Sequence, residues 1–261
     1  MQANHRMPVL FLGHGNPMTT LDSNAYTSAW QSLGESLPRP RAVLCISAHW
    51  YRPETLVTGD EHPKTIHDFG GFPQALYDVQ YPAPGDPALA REVAALLSPT
   101  KVASDNDWGL DHGTWSVLRH VYPDADVPVI QLSLNRSKDA AWHFECARRL
   151  RPLRDQNVLI VGSGNLVHNL RRYVWSDTPV EPFAWASRFE SFAKEKMLSA
   201  DFEALVHYRD QGPDAELAVP TPEHYLPLLY VLAQHDVGDR ITFPVDGFDG
   251  GSMSMLAVMI R

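Results

Sequence analysis

Four short segments of the chain are almost continuously apolar, and this feature constrains the fold more than any other. Strands buried on both faces have this composition, because neither face needs polar side chains. The segments lie at 8–13, 42–48, 127–134 and 157–162. Helical patterns lie between and after them, at 86–97, 114–122, 137–150 and 182–198. An alternation of buried strands and helices predicts an α/β fold with a largely parallel central sheet.

The C-terminal part of the chain has a different pattern. Residues 241–245 and 252–260 are typical of a terminal pair of strands, joined by a glycine-rich connection. Such a pair beside parallel strands would make the sheet mixed. Ser137 is a plausible N-cap for the helix that follows it, since its hydroxyl can satisfy a free backbone N–H. No linker divides the chain, so we expect a single domain over 1–261, with helices flanking the sheet.

Composition narrows the classes of protein to which the chain can belong. It has 22 Lys+Arg against 31 Asp+Glu, a formal net charge of −9, which argues against nucleic-acid binding. Its apolar runs are too short for a membrane span, and its polar N-terminus shows no signal peptide. Two cysteines cannot form a disulfide scaffold or a cysteine-rich zinc site. We therefore expect a cytoplasmic protein without a nucleic-acid or membrane partner.

Three of the 12 histidines follow predicted strands directly. His14 comes after the first strand, His49 after the second, and His168 shortly after the fourth. In open α/β sheets, ligands bind at the carboxyl ends of the strands. Histidine is the commonest metal ligand and the commonest acid or base near neutral pH. A single histidine in a turn is usually structural, but three at one edge of a sheet predict a shared metal site.

Two further histidines are candidates to complete this site. His112 in GLDHGTW stands at the start of a helical segment, and His224 in PTPEHYLPLLY lies in the first turns of another, which Pro220 and Pro222 precede. A histidine in a first helical turn can project toward the strand ends. The chain contains no G-x-G-x-x-G, P-loop, G-x-S-x-G or H-E-x-x-H motif. This disfavours nucleotide-driven, serine-hydrolase and zincin chemistry.

Six motifs in a fixed order carry a resemblance to a known family: LFLGHGNPM, SAHW, IHDFGGFPQALYDVQYPAPG, GLDHGTW, GNLVHNL and PTPEHYLPLLY. Together they resemble the class III extradiol ring-cleavage dioxygenases, and among these the 4,5-DOPA extradiol dioxygenase subfamily. The resemblance covers nearly the whole chain from Met7 onward. It implies an oxidoreductase with a mononuclear non-haem Fe(II), which opens catechol rings with O₂. Fe(II) with open coordination positions suits this reaction, because substrate and O₂ must both reach the metal.

The resemblance also implies a set of metal ligands. His14 and His49 match the two metal-binding histidines of the family. Many relatives use a glutamate as third ligand, whereas this chain offers His224 beside Glu223. Successive helical residues point about 100° apart, so only one of the two should face the ion, and we predict His224. His168 is expected to contact the metal as well when no substrate is bound.

Two catalytic roles follow from the same resemblance. His168 matches the base that deprotonates the catechol, and His112 matches an acid that also steadies bound oxygen. The glycine-bent segment 65–77 is either a wall or lid beside the substrate ring, with His67 touching substrate polar groups, or a structural loop. The sequence does not decide between these two interpretations.

Alternative metals and functions follow from the same residues. Neutral histidines also accept zinc, since divalent-metal affinity is generally greater for zinc than for Fe(II). A zinc-dependent hydrolase and a non-enzymatic metal-binding or interaction protein are therefore the alternative functions. Because a binding protein needs no acid and base, His112 and His168 favour the enzyme. The expected partners are a catechol, DOPA or a similar one, and O₂; the sequence does not indicate an oligomeric state.

Overall fold

The computed structural model describes residues 6–176 and 178–261, so the polar residues 1–5, with His5, and Asp177 lie outside the described residues. The strands are β1 (Val9–Gly13), β2 (Ala42–Ser47), β3 (Tyr51–Arg52), β4 (Thr55–Thr58), β5 (Val102–Asp105), β6 (Val129–Gln131), β7 (Leu134–Asn135), β8 (Val158–Gly164), β9 (Ile241–Val245), β10 (Phe248–Asp249), β11 (Met253–Ser254) and β12 (Ala257–Ile260). The helices are α1 (Ala25–Ser36), α2 (Gln74–Tyr77), α3 (Pro87–Leu96), α4 (His112–Val121), α5 (Ala140–Arg148), α6 (Pro152–Asp155), α7 (Ala184–Leu198), α8 (Phe202–Val206), α9 (Pro213–Ala218) and α10 (Leu226–Leu232). Among the described residues, no helix combines the length and the apolar composition needed to cross a bilayer.

One six-stranded sheet forms the centre of the fold, in the order β6–β2–β8–β1–β12–β9. Strands β6, β2, β8 and β1 are mutually parallel. Strand β12 runs antiparallel to both β1 and β9, so the C-terminal strands form the antiparallel edge expected from the sequence. Because β1, β8 and β2 are parallel neighbours, their carboxyl ends meet at one edge of the sheet.

Alternate side chains of the central strands enter two separate apolar clusters, one on each face of the sheet. In β1, Val9 and Phe11 pack on one face, and Leu10 and Leu12 on the other. Helices α5, α7 and α10 cover the first face, and α1 and α4 cover the second. The apolar runs are continuous because neither side of these strands meets solvent. The predicted single-domain α/β fold with a mixed, largely parallel sheet is confirmed, and its extent over 1–261 stays a prediction.

Helix α5 begins later than the segment 137–150 predicted. Its N-cap is Asp139, whose carboxylate accepts a hydrogen bond from the backbone N–H of Trp142 at 2.8 Å. Ser137, which we expected to be the cap, instead donates its hydroxyl to the carbonyl of Pro53. A carboxylate at this position also interacts favourably with the positive end of the helix dipole. Asp139 is therefore a better N-cap for α5 than Ser137 would be.

Helix α10 also begins later than the sequence suggested, and this places His224 in the turn before it. Pro227 occupies the first turn of α10. Proline lacks the backbone N–H that an interior helical position must donate, so it is tolerated only at such a helix start. The expectation that His224 lies in a first helical turn is therefore wrong, although the turn still directs it to the same edge of the sheet.

His143 on α5, to which the sequence assigned no function, is completely buried. Its Nε2 donates to the carbonyl of Asn135 at 3.1 Å, and its Nδ1 accepts from the hydroxyl of Tyr230 at 3.0 Å. Burial lowers the pKa of His143 to about 4. The ring is therefore neutral in the folded protein at neutral pH.

Acidification is expected to destabilise the protein partly through His143. An unfolded histidine binds its proton near pH 6.5, whereas the folded one binds it only near pH 4. The unfolded state thus holds more protons in this window, and stability falls as the pH falls through it. The contribution approaches about 3 kcal/mol at the lower end. In urea unfolding over this range, His143→Gln should lose less stability than the wild type; equal losses would contradict the prediction.

Candidate metal centre

The predicted metal-binding histidines converge at the carboxyl edge of the sheet. His14 follows β1 directly, His49 lies two residues after β2, and His224 comes from the turn before α10. One ring nitrogen of each lies within 4.8 Å of the others. His14 and His224 are buried, and His49 is partly buried. Three separate segments of the chain thus bring three potential ligand atoms to one point.

The close approach of His224 depends on a glycine at the end of β8. A Cβ atom on Gly164 would lie only 2.2 Å from the carbonyl oxygen of His224, so no larger residue fits without moving that turn. The neighbouring backbone N–H of Asn165 donates to the same carbonyl at 2.9 Å. The strand end therefore fixes the position of His224 from the other side of the site.

Hydrogen bonds fix the tautomer of His14. The hydroxyl of Ser163 donates to the carbonyl of Gly113, so its oxygen accepts from Nδ1–H of His14 at 2.9 Å. His49 places its Nδ1 3.3 Å from Oδ2 of Asp68, which likewise favours a hydrogen on Nδ1. Both rings are then left with a lone pair on Nε2.

These two lone pairs face each other. Nε2 of His14 lies 3.3 Å from Nε2 of His49. Burial lowers the pKa of His14, His49 and His224 well below the usual value, so all three rings are neutral at neutral pH. The facing Nε2 atoms of His14 and His49 then carry no proton. A metal bound at about 2.0–2.1 Å from each nitrogen accounts for such a separation. The donor set therefore fits a divalent metal ion that prefers imidazole.

Asp68 joins two of the histidines. Besides the contact with His49, its Oδ1 lies 3.0 Å from Nδ1 of His112 and accepts the backbone N–H of the same residue at 2.8 Å. Burial acts to raise the pKa of Asp68, but the contacts with His112 and His49 outweigh it and hold the pKa at about 2. The ionised carboxylate orients both rings, as such second partners of metal-site histidines commonly do.

A buried polar network places His112 at the start of α4. Its preceding residue, Asp111, caps the helix by accepting from the backbone N–H of Thr114. Asp111 also accepts from the hydroxyl of Ser47 at 2.7 Å and from Nε2 of Gln131 at 2.7 Å. The central strands therefore hold the helix terminus that carries His112.

His168 lies beside the three-histidine cluster and outside it. Its ring stacks on that of His224 with centroids 3.6 Å apart, and its backbone N–H donates to the carbonyl of Ala218 at 2.8 Å. Burial lowers the pKa of His168 to about 4. The structure thus places a neutral imidazole next to the cluster, and the expectation that it also binds the metal stays a prediction.

A cavity of about 260 Å³ opens onto these histidines. Its wall includes Phe69 and Phe72 from the segment 65–77, so this segment does form part of the wall. His67, predicted to bind substrate, does not line the cavity; its Nε2 lies 3.0 Å from the carbonyl of Val79. The neighbouring Asp68 lines the cavity, and the contact of His67 with substrate stays a prediction.

The sequence reasoning missed Asp68 and Ser163 as functional residues. Neither has a fixed spacing from the histidine it orients, because each contact joins segments far apart in the chain. The only signal for Asp68 was its presence inside the motif IHDFGG. Tyr173 and Trp175 in the cavity wall were also missed, because the segment that carries them shows no periodic pattern.

Removing the charge of Asp68 is expected to weaken metal binding and slow turnover. Asp68→Asn keeps the size of the side chain but loses the ionised acceptor for His49 and His112. Loss of such an outer partner typically costs about 10–100-fold in metal affinity or activity. Competition titration with a chelator would measure the metal affinity, with Asp60→Asn, a carboxylate that does not line the cavity, as control. Unchanged affinity and rate in Asp68→Asn would show that the contact has no orienting function.

Comparison with known proteins agrees with this site. Residues 5–240 match the family described as the catalytic LigB subunit of aromatic ring-opening dioxygenase. The chain belongs to this family, and it is an oxidoreductase whose relatives are metal-dependent. The resemblance to extradiol dioxygenases is thereby confirmed.

Particular relatives narrow the comparison further. A protein of Escherichia coli (strain K12) named 4,5-DOPA dioxygenase extradiol is 52% identical, over 100% of this chain and 97% of its own length. A Beta vulgaris protein of the same name is 36% identical, over 94% of this chain and 92% of its own. The crystal structure of an uncharacterized Escherichia coli K12 protein superimposes with a TM-score of 0.86 at 48% identity, covering 98% of this chain and 100% of that one. The protein is thus similar to 4,5-DOPA extradiol dioxygenases along its full length.

Proposed function

We propose that the protein opens the ring of a catechol, DOPA or a similar one, with O₂ at a mononuclear non-haem metal centre. The observation that carries this proposal is the convergence of Nε2 of His14 and His49, with His224 beside them, at the bottom of a cavity. The similarity to proteins named 4,5-DOPA dioxygenase extradiol supports the substrate class.

His14, His49 and His224 would hold the metal, and we propose Fe(II), with zinc able to enter the same site. When bound, Fe(II) supplies coordination positions at which a catechol and O₂ meet, so that their reaction is effectively intramolecular. The chain supplies neutral imidazoles for this purpose, because burial lowers the pKa of all three histidines.

The cavity wall suits an aromatic ring. Phe69 and Phe72 meet at a centroid distance of 5.4 Å, and Phe69 lies 5.4 Å from the ring of His112. These edge-to-face contacts hold the rings in place, and an aromatic substrate can pack against the faces that they leave toward the cavity. A catechol bound here would be shielded from water on the side of the ring that faces these residues.

His168 and His112 would move the protons. No described residue makes a hydrogen bond to the ring nitrogens of His168, so this neutral ring is free to accept a proton from a catechol hydroxyl. His112 presents Nδ1 to Asp68, which leaves Nε2 as the atom that would deliver a proton to the oxygen side. Positioned groups of this kind contribute about 10²–10⁴-fold to a rate.

Oxygen consumption tests the proposal directly. The metal-free protein would be loaded with Fe(II) without oxygen, and L-DOPA and a panel of other catechols then added in an oxygen electrode with absorbance detection. We expect one O₂ consumed for each coloured ring-opened product, because both oxygen atoms enter the product. With verified Fe(II) loading, no uptake with any catechol would overturn the proposal and favour zinc chemistry or a binding function.

A further inference from the structure

Two aromatic side chains, Tyr173 and Trp175, form part of the wall of the cavity above the histidines. Their ring centroids lie 4.7 Å apart, and their ring planes are inclined at 62°. Trp175 is 72% exposed, so much of its ring surface is open to a ligand at the cavity mouth. The face of an aromatic ring carries partial negative charge. This aromatic pair therefore offers a surface that attracts a cation.

Contacts with the β10–β11 hairpin hold the aromatic pair in place. The hydroxyl of Tyr173 donates to Oδ2 of Asp249 at 2.8 Å, and the backbone N–H of Val174 donates to the carbonyl of Gly250 at 3.0 Å. A Cβ atom on Gly250 would lie only 2.4 Å from Cε2 of Tyr173, so the ring occupies space that only a glycine leaves. A ring fixed before binding loses little freedom when a ligand arrives.

The lining of the cavity contains no Lys or Arg side chain among the residues that the structure describes. Arg171 and Arg172, which precede Tyr173, are exposed and lie outside the lining. The carboxylate of Asp249 contacts the hydroxyl of Tyr173, and the chain as a whole has a net charge of −9. A positively charged ligand group thus meets aromatic faces here, with a carboxylate behind one of them.

The proposed orientation of a catechol directs its substituent toward the mouth of the cavity. When the two hydroxyls face the histidines, a chain at ring position 4 lies on the opposite side of the ring. A positive group on this chain is then separated from the metal ion by the length of the ring. The aromatic pair is placed to receive such a group.

We infer that Trp175 and Tyr173 bind the protonated amino group on the side chain of the substrate through their ring faces. The cavity then prefers catechols that carry an amine, DOPA among them, to the same catechols without it. This inference rests on the proposed function for the orientation of the ring. A cation over an aromatic face favours binding by about 2–5-fold at an exposed site, and by more where water is excluded.

Two matched pairs of ligands test the inference. Dopamine and 4-ethylcatechol differ only in the amino group, and so do L-DOPA and 3-(3,4-dihydroxyphenyl)propanoate. Their dissociation constants would be measured by calorimetry on Fe(II)-loaded protein without oxygen, at neutral pH, where the amines are protonated. We expect the amine to bind at least about threefold more tightly in both pairs. Equal or weaker binding of the amine in either pair would overturn the inference.

Oxygen uptake by the same samples separates this inference from the proposed function. Tighter binding of the amines, without oxygen uptake with any ligand, would support the inference and overturn the proposed function. Oxygen uptake without a difference in dissociation constant within the pairs would do the reverse.

Substitutions of Trp175 distinguish its ring face from a simple apolar contact. Trp175→Leu keeps an apolar side chain but loses the ring, and should remove most of the advantage of the amine. Trp175→Phe keeps a smaller ring face and should retain part of it. The matched control is Trp142→Leu, on α5 and outside the cavity lining, which should leave the advantage unchanged. An advantage in Trp175→Leu as large as in the wild type would overturn the inference.

Discussion

Replacing His168 by alanine is expected to lower turnover by about 10²–10⁴-fold while the protein keeps its metal. His168 lies against His224, and the cluster of ligand atoms closes without it. Its pKa of about 4 keeps it neutral at neutral pH, as a base that deprotonates a catechol must be. Metal content after reconstitution and kcat with a catechol would be measured on the same samples.

The matching variant for this experiment is His14→Ala, which should lose both metal and turnover. Metal loss in His168→Ala equal to that in His14→Ala would show that His168 is an essential ligand. His112→Ala adds a third case: turnover at the wild-type rate would remove His112 from the mechanism.

Replacing His224 by alanine is expected to abolish stable metal binding, although its neighbour Glu223 remains. Nδ1 of His224 is buried, and Oε1 of Glu223 lies 3.5 Å from it while accepting from the hydroxyl of Thr221. Glu223 is thus engaged outside the cluster, and it is absent from the group of converging ligand atoms. A site reduced to two histidines should lose at least about two orders of magnitude in affinity.

Glu223→Gln provides the matched control for His224→Ala. It removes the carboxylate next to the ligand but leaves the imidazole in place, so metal binding should stay close to that of the wild type. Metal affinities would be measured by competition with a chelator of known strength. The reverse result, with metal lost in Glu223→Gln and kept in His224→Ala, would assign the third ligand to the glutamate.

Much of the fold could be predicted because its signals are local. The continuous apolar runs gave β1, β2 and β8, since a strand buried on both faces must be apolar throughout. Their parallel arrangement then brought His14 and His49 to one edge, which follows from general rules of α/β sheets. The starts of two helices were predicted wrongly. Asp139 caps α5 in place of Ser137, and Pro227 fixes the start of α10.

The parts of the site that could not be predicted depend on contacts between distant segments. Asp68 orients His112, which lies 44 residues further along the chain, and Ser163 orients His14 at a separation of 149. No periodicity or motif spacing encodes such pairs. His67 shows the opposite case, in which a residue inside a strong motif is not among those that line the cavity.

The facing nitrogens of His14 and His49 also connect the site to the stability of the whole protein against unfolding. Their lone pairs lie 3.3 Å apart, and each ring contacts a partner on another element through its Nδ1, His14 at Ser163 and His49 at Asp68. The folded chain thus holds both nitrogens in place for one ion, and the unfolded chain does not. Ion capture and resistance to unfolding are therefore linked, since a ligand bound only by the folded state stabilises that state. Removal of the ion by a chelator should therefore lower the free energy of unfolding of the whole protein.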